Sequence, residues 1–126
     1  MKSEAAGCRV LVVEDEMLIA IEVEDVLQEM GCEIVGPVGR LDEALTLAAT
    51  EKLDAAILDV TIRGGTVFPV ADILTARGVP FLLASGYGDW ALPEAMRDRP
   101  RLTKPFSTAQ LQGHIIELCR KADEGE

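Results

Sequence analysis

The chain has 126 residues, of which 48% are hydrophobic and 27% are charged, and its formal net charge at pH 7 is -10. These values are typical of a single soluble globular domain and exclude an intrinsically disordered chain. The negative charge, without any run of Lys or Arg, argues against direct binding to nucleic acids. We therefore expect one domain over residues 1–126, with polar ends and an ordered core over about residues 8–121.

Five short apolar runs predict β-strands. They show little alternation of apolar and polar residues, which is typical of parallel strands that are covered on both faces. In chain order, the runs are residues 9–13 (RVLVV), 33–36 (EIVG), 55–60 (AAILDV), 81–85 (FLLAS) and the weaker 101–103 (RLT).

Segments with helical periodicity alternate with these strands. Their apolar residues recur at steps of three and four, which predicts helices with one buried face. The last helix begins with Ser107 and Gln110 at the spacing of a capping box. The fourth helix is expected to be short or irregular, because it contains Pro93 and ends at Pro100. The other three predicted helices cover residues 15–30, 41–50 and 68–77.

The alternation of strands and helices predicts an α/β fold, a three-layer α/β/α sandwich. Right-handed crossovers place helices on both faces of a five-stranded parallel sheet, for which the flavodoxin-like strand order 2-1-3-4-5 is the leading topology. Ligands of such sheets bind beyond the carboxyl ends of the strands, where the winding direction changes. Here that position lies between the first and third strands.

Polar groups follow four of the predicted strands at this edge of the sheet. Glu14 and Asp15 follow the first strand, Asp59 ends the third, Ser85 ends the fourth and Lys104 follows the fifth. Each has an ordinary structural explanation, since acids are favoured at helix N-termini and Ser is common in turns. It is less plausible that all of them occur together by chance. Carboxylates that cluster also repel one another unless a cation neutralises them.

The acidic residues therefore predict a metal site. Mg²⁺ prefers oxygen ligands, retains several waters and is often held by one or two carboxylates together with a phosphate. Mn²⁺ is an alternative ion. The expected ligands are Asp15, Asp59, Glu14 and the backbone carbonyl of Thr61.

With a metal ion bound, Asp59 is the best candidate nucleophile, because it projects from the central strand and carboxylates form aspartyl-phosphates. We expect Lys104 and Ser85 to contact the phosphoryl oxygens. Two other classes of protein are weaker alternatives. A flavin or nucleotide binder needs a glycine-rich loop after the first strand, and the sequence there contains no glycine. A hydrolase with an Asp nucleophile usually has a second acid two residues later, where this chain has Thr61.

Four motifs together resemble the receiver domains of two-component response regulators, the CheY-like family. They are VVEDE (12–16), AILDV (56–60), ASGY (84–87) and TKPF (103–106), and the resemblance covers essentially the whole chain. It implies that a sensor histidine kinase or a phosphotransfer protein phosphorylates Asp59 in the presence of Mg²⁺. It also implies a signalling domain rather than an enzyme, and a cis bond between Lys104 and Pro105.

The segments PFLLASGYG (80–88) and TIRGGTVFPVA (61–71) resemble the FAT GUY subclass of receivers, which occurs mainly in alphaproteobacterial stress signalling, often with kinases of the HWE type. Arg101 stands where most receivers carry an aromatic residue that moves inward on activation. The resemblance therefore implies a different switch, and our hypothesis is that Tyr87 or the segment 86–100 changes conformation. Trp90 and Tyr87 are candidate partner contacts.

The three cysteines, Cys8, Cys32 and Cys119, are odd in number and widely spaced. This pattern predicts reduced thiols that pack as small buried side chains in a cytoplasmic protein. No segment suggests a membrane span. We expect a stand-alone receiver that binds a downstream protein when phosphorylated, or that shuttles or drains phosphate within a relay; a scaffold that is not phosphorylated is a weaker alternative.

Overall fold

The computed structural model describes residues 5–86 and 93–124. None of the helices in this described part is both long enough and apolar enough to cross a membrane. In chain order, the elements are β1 (Arg9–Val13), α1 (Met17–Glu29), β2 (Glu33–Val38), α2 (Leu41–Thr50), β3 (Ala55–Asp59), β4 (Thr61–Ile62), β5 (Gly65–Thr66), α3 (Phe68–Ala76), β6 (Phe81–Ser85), a 3₁₀ helix (Glu94–Met96), β7 (Arg101–Thr103) and α4 (Thr108–Glu124).

Five of the strands form one parallel sheet in the order β2-β1-β3-β6-β7. Counted along this sheet alone, the order is 2-1-3-4-5, so the predicted topology is confirmed. β4 and β5 lie outside it and pair with each other as a short antiparallel ribbon directly after β3. The sequence analysis missed this ribbon. Gly64 and Gly65 make its turn with φ angles of 99° and 142°, which are favourable only for a residue without a Cβ.

Successive residues of the central strands pack on opposite faces of the sheet. In β1, Leu11 and Val13 belong to an apolar cluster that also contains residues of α2 and α3. Val10 and Val12 belong to a second cluster, with residues of α1 and α4. Two helices therefore cover each face, and the predicted three-layer sandwich is confirmed.

Helical periodicity identified the buried faces of the helices. In α4, the apolar residues Leu111, Ile115, Leu118 and Cys119 recur at steps of one, three and four, and all four are buried. The predicted capping box at the start of α4 is also present. The Ser107 backbone N–H donates to Oε1 of Gln110 at 2.8 Å, and the Gln110 backbone N–H donates to Oγ of Ser107 at 3.1 Å. Local sequence therefore specifies where α4 begins.

The segment between β6 and β7 contains little helix in its described part. A single 3₁₀ turn covers Glu94–Met96, and the Met96 backbone N–H donates to the Pro93 carbonyl at 2.9 Å. Pro93 immediately precedes this turn, in agreement with the prediction that a proline would interrupt the fourth helix. Tyr87 and Trp90 lie outside the described residues, and their predicted roles stay predictions.

The prediction of three reduced cysteines is wrong for two of them, because Cys8 and Cys119 form a disulfide across 111 residues of sequence. Their spacing gave no sign of this pairing. The fold creates it by placing the residue before β1 beside the C-terminal half of α4, at a Cα–Cα distance of 6.0 Å. Both cysteines are buried as expected, and Cys32 keeps a free thiol.

Candidate functional site

Lys104 and the acidic residues meet at the carboxyl edge of the sheet. Nζ of Lys104 lies 2.9 Å from Oε1 of Glu14 and 3.3 Å from Oδ2 of Asp59. The Lys104 backbone N–H donates to the Ser85 carbonyl at 2.8 Å, which fixes Lys104 beside the end of β6. The following bond, Lys104–Pro105, is cis, as the resemblance implied.

Three carboxylates converge on one point beside this lysine. One oxygen each of Glu14, Asp15 and Asp59 lies within 4.8 Å of the others, so the three could together hold a metal ion. Glu14 and Asp59 are only 7% exposed, whereas Asp15 is half-buried. Oxygen donors at this spacing suit a hard divalent cation such as Mg²⁺.

Backbone contacts orient Glu14. Its N–H donates to the Val38 carbonyl at 2.9 Å, which continues the pairing of β1 with β2 by one residue. Its Oε2 accepts a hydrogen bond of 3.0 Å from the Glu16 backbone N–H at the start of α1. One oxygen of Glu14 is thus used to organise the turn into α1, while the other contacts Lys104.

The electrostatics of the site favour the neutral form of Asp59 and the charged form of Lys104. Burial and then the neighbouring Glu14 carboxylate raise the pKa of Asp59, Lys104 partly opposes this rise, and the net pKa is about 7. Burial by itself would lower the pKa of Lys104, but Glu14 and Asp59 together raise it above its ordinary value. Lys104 therefore stays charged, and Asp59 is the group whose charge is costly in the absence of a further cation.

Three other predicted site residues lie in the described part of the structure, namely Ser85, Thr61 and Arg101. Ser85 is half-buried at the end of β6, and its carbonyl contacts the Lys104 backbone. Thr61 is exposed at the start of β4, two residues after Asp59. Arg101 is exposed at the start of β7.

The sequence analysis missed Gly39, which packs directly against the acidic pair. A Cβ at this position would lie 3.0 Å from Cα of Asp15 and 3.2 Å from its Cβ. Contacts that short require the Asp15 backbone to shift. No local pattern identifies Gly39, because the need for a small residue arises only where two loops of the fold meet.

The β4–β5 ribbon closes one side of the site. The Arg63 backbone N–H donates to the Gly39 carbonyl at 3.1 Å, and the Leu41 N–H donates to the Arg63 carbonyl at 2.8 Å. These bonds attach the ribbon to the loop between β2 and α2. Arg40 and Arg63 consequently line a cleft of about 390 Å³ that also includes Glu14 and Asp15.

Known proteins share both this fold and parts of the sequence, although no family model matches the chain. The transcriptional regulatory protein PdtaR of Mycobacterium tuberculosis is 36% identical over 107 residues, covering 82% of this chain and 52% of PdtaR. SdrG from Sphingomonas melonis Fr1 is 38% identical with a TM-score of 0.74, covering 94% of this chain and 97% of SdrG. The PhyR response regulator REC domain of Erythrobacter litoralis is 28% identical with a TM-score of 0.77, covering 90% of each chain.

This chain belongs to the receiver domains of response regulators. The receiver spans about half the length of the curated relatives that it matches. Its strand order, the acidic cluster at the carboxyl edge and the cis bond after Lys104 agree with the resemblance found in the sequence. The receiver is a signalling domain by family rather than a member of a family of enzymes.

Proposed function

We propose that this receiver accepts a phosphoryl group on Asp59. The observation that carries the proposal is the position of the Lys104 ammonium between Asp59 and Glu14, with Asp15 completing the cluster. A buried carboxylate beside a fixed cation and a metal-binding pair matches the needs of phosphoryl transfer, in which the protein mainly positions the reactants and stabilises charge.

The acidic cluster is proposed to hold Mg²⁺, with Mn²⁺ as an alternative. The ligands would be Asp15, Asp59, Glu14 and the backbone carbonyl of Thr61. When bound, the ion would neutralise charge on the carboxylates and on the transferred phosphoryl group. Its binding would also lower the pKa of Asp59 from about 7, so that more of this residue is present as the nucleophilic carboxylate.

In the proposed step, a carboxylate oxygen of Asp59 attacks phosphorus. A phosphorus–oxygen bond forms, the bond from phosphorus to the donor nitrogen or oxygen breaks, and the donor leaves with that electron pair. Lys104 then pairs with a phosphoryl oxygen in place of the Asp59 oxygen that it contacts here at 3.3 Å. The Ser85 hydroxyl would donate a hydrogen bond to a second phosphoryl oxygen.

The physiological donor is proposed to be a sensor histidine kinase, with the HWE type as one candidate, or a phosphotransfer protein. The resemblance of segments 80–88 and 61–71 to the FAT GUY receivers supports placement in that subclass. The signal would pass to a downstream protein by direct contact, and not to nucleic acid or a membrane. The net charge of -10 supports the first exclusion.

A direct test is the intact mass of the protein after incubation with an acyl phosphate or phosphoramidate and Mg²⁺. We expect a single phosphoryl adduct in the wild type, no adduct in Asp59→Asn, and no adduct when a chelator removes the ion. Asp25→Asn is the matched control, because Asp25 is an exposed acid on α1 and its replacement makes the same change in charge. An adduct that persists in Asp59→Asn would contradict the assignment.

Two uses of the phosphoryl group need a separate measurement. An endpoint receiver retains the group long enough to bind its target, whereas a shuttle returns it to a histidine. Rates of transfer between the receiver and a candidate kinase, measured in both directions, distinguish the two. Return that is as fast as acceptance would support a shuttle or a drain, and slow return would support an endpoint.

A further inference from the structure

The Cys8–Cys119 disulfide lies at the end of the sheet opposite the acidic cluster. Cys8 immediately precedes β1, whereas Glu14 immediately follows it. A five-residue strand such as β1 spans about 16 Å, so the two sites are separated by roughly the length of this strand. The phosphoryl-transfer chemistry proposed above makes no use of these cysteines.

The disulfide joins two elements that are distant in sequence. Cys8 and Cys119 are 7% and 3% exposed and belong to the apolar cluster between the sheet and the α1/α4 layer. The bond ties the start of β1 to the C-terminal half of the last helix. A Cα–Cα distance of 6.0 Å is within the usual range for a disulfide, so the fold brings the two thiols together without help from a local motif.

Cys32 lies beside this pair and differs from it chemically. Its Sγ donates to the Ala5 carbonyl at 3.4 Å, and the same carbonyl accepts a 3.0 Å hydrogen bond from the Cys8 backbone N–H. Burial raises the pKa of Cys32 to about 11, which leaves very little thiolate near neutral pH. Cys32 is therefore an internal reference thiol for experiments on the pair.

We propose that Cys8 and Cys119 form a site of reversible covalent modification by thiol–disulfide exchange, with the glutathione couple or a similar small disulfide as the partner. One protein thiolate attacks a sulfur of the external disulfide and releases the first small thiol. The second protein thiolate then attacks the mixed disulfide and releases the other small thiol. In total, two protein thiols lose two electrons and two protons to one external disulfide, which becomes two thiols.

Local opening gives the reagent access to the buried pair. Cys8 lies between a short turn and the start of β1, and Cys119 lies in the last turns of α4. The ends of helices and strands open locally at a lower cost than the middle of the core. Reduction would then free the end of α4 from β1 without changing the carboxyl edge of the sheet.

The first test follows the redox state of the purified chain by intact mass after alkylation. The protein is equilibrated in mixtures of reduced and oxidised glutathione and then quenched with iodoacetamide in denaturant, so that every free thiol reacts. We expect at most one alkyl group, on Cys32, in oxidising mixtures and three in reducing mixtures, with peptide mapping of the cross-link to Cys8 and Cys119. Cys32→Ser should keep the cross-link, and Cys8→Ser and Cys119→Ser should lose it.

Three results from this test would overturn the proposal. One is full alkylation of all three cysteines at every glutathione ratio, and a second is a cross-link that involves Cys32. A cross-link that native protein keeps in strongly reducing mixtures would also contradict exchange, because it would be a static structural bond. None of these results requires a variant that folds poorly, since each is measured on the wild type.

The second test measures the consequence for α4. Closing a loop of 111 residues constrains the unfolded chain, so we expect reduction to lower Tm by an amount on the order of 10 °C. Amide hydrogen exchange should rise in residues 116–122 on reduction and stay constant in β3. Unchanged exchange in α4 would overturn the proposed role. Phosphorylation of Asp59 should be equal in both redox forms, so either proposal can fail without the other.

Discussion

Lys104 is the cation that offsets part of the negative charge of the acidic cluster. Its side chain is 10% exposed and contacts two carboxylates that are themselves almost fully buried. A buried ion pair contributes little net stability, but removal of one partner leaves an uncompensated buried charge. Lys104 therefore holds the acidic cluster together when no metal ion is bound, and in the proposed transfer it would also pair with the phosphoryl group.

Replacement of this lysine should lower stability more without metal than with it. For Lys104→Met we expect the free energy of unfolding in chelator to fall by about 3 kcal/mol, because Glu14 and Asp59 lose their cation. Added Mg²⁺ should recover much of that loss. Lys52→Met provides the control, since Lys52 is exposed. Urea unfolding checks both, and an equal loss with and without Mg²⁺ would contradict the explanation.

The raised pKa of Asp59 makes the stability of the metal-free protein depend on pH. The folded protein binds this proton up to about pH 7, whereas the ordinary value is 3.8. The folded state thus binds more protons in this window, and Asp59 makes stability fall as the pH rises from about 4 through 7.

Asp59→Asn should remove this pH dependence. In chelator at pH 8 we expect the variant to be more stable than the wild type by up to about 4 kcal/mol, since one pKa unit corresponds to about 1.4 kcal/mol. The difference should shrink as the pH falls toward 4. Urea unfolding at a series of pH values measures the slope, and parallel curves for the two proteins would show that Asp59 does not titrate near pH 7.

Substitution of Gly39 tests how strongly Mg²⁺ binding depends on the position of Asp15. The added methyl group in Gly39→Ala would lie about 3 Å from Asp15, so Asp15 has to move. We expect Mg²⁺ affinity to fall by about 10-fold, equivalent to about 1.4 kcal/mol, with little change in secondary structure. Isothermal titration calorimetry measures the affinity. Gly113→Ala is the control, because a Cβ there meets no atom within 4 Å, and a similar loss in that variant would rule out a local cause.

At the scale of elements, α4 is specified largely by its own sequence. Its buried stripe and its capping box were both predicted from residue spacing, and both are present. The β4–β5 ribbon is the opposite case. Each of its strands has only two residues. The position of the ribbon depends on backbone hydrogen bonds that join Arg63 to Gly39 and Leu41.

The capping box gives a prediction about stability alone. For Ser107→Ala we expect a loss of about 1 kcal/mol, because the Gln110 backbone N–H loses its acceptor at the start of α4. Thr108→Ala is a useful control one position later. Thermal unfolding measures the loss, and phosphorylation of Asp59 should be unaffected. A variant as stable as the wild type would show that the box contributes nothing.

At the scale of the whole molecule, a net charge of -10 means that any cation stabilises the chain to some extent by screening. Specific binding of Mg²⁺ adds a second contribution that follows mass action. At 100 times the dissociation constant this contribution is about 2.7 kcal/mol. The two contributions are separable, because screening depends only on ionic strength.

We expect MgCl₂ to raise Tm of the wild type more than NaCl at equal ionic strength. In Asp15→Asn the two salts should have nearly equal effects, because a ligand of the ion is lost. Asp25→Asn should retain the difference, as this exposed acid lies outside the cluster. Scanning calorimetry measures all three proteins. A specific effect of Mg²⁺ that survives in Asp15→Asn would place the ion elsewhere.

The sequence by itself determined the five strands of the main sheet and the helices that cover it, and it predicted the main site residues. Apolar runs without alternation identify buried parallel strands, and the carboxyl ends of such strands share one edge, so Asp15, Asp59 and Lys104 could be brought together before any coordinates were known. These are consequences of local pattern and of the few topologies open to alternating strands and helices.

Only the tertiary structure decided which distant groups touch. Three contacts join segments whose spacing in sequence does not predict that they meet. They are the Cys8–Cys119 bond, the close approach of Gly39 to Asp15, and the hydrogen bonds of Arg63 that attach the β4–β5 ribbon. The physical reason is the same in each case. Such contacts depend on the register and packing of whole elements, and a shift of a few ångströms in either element would remove them without altering the pattern of either segment.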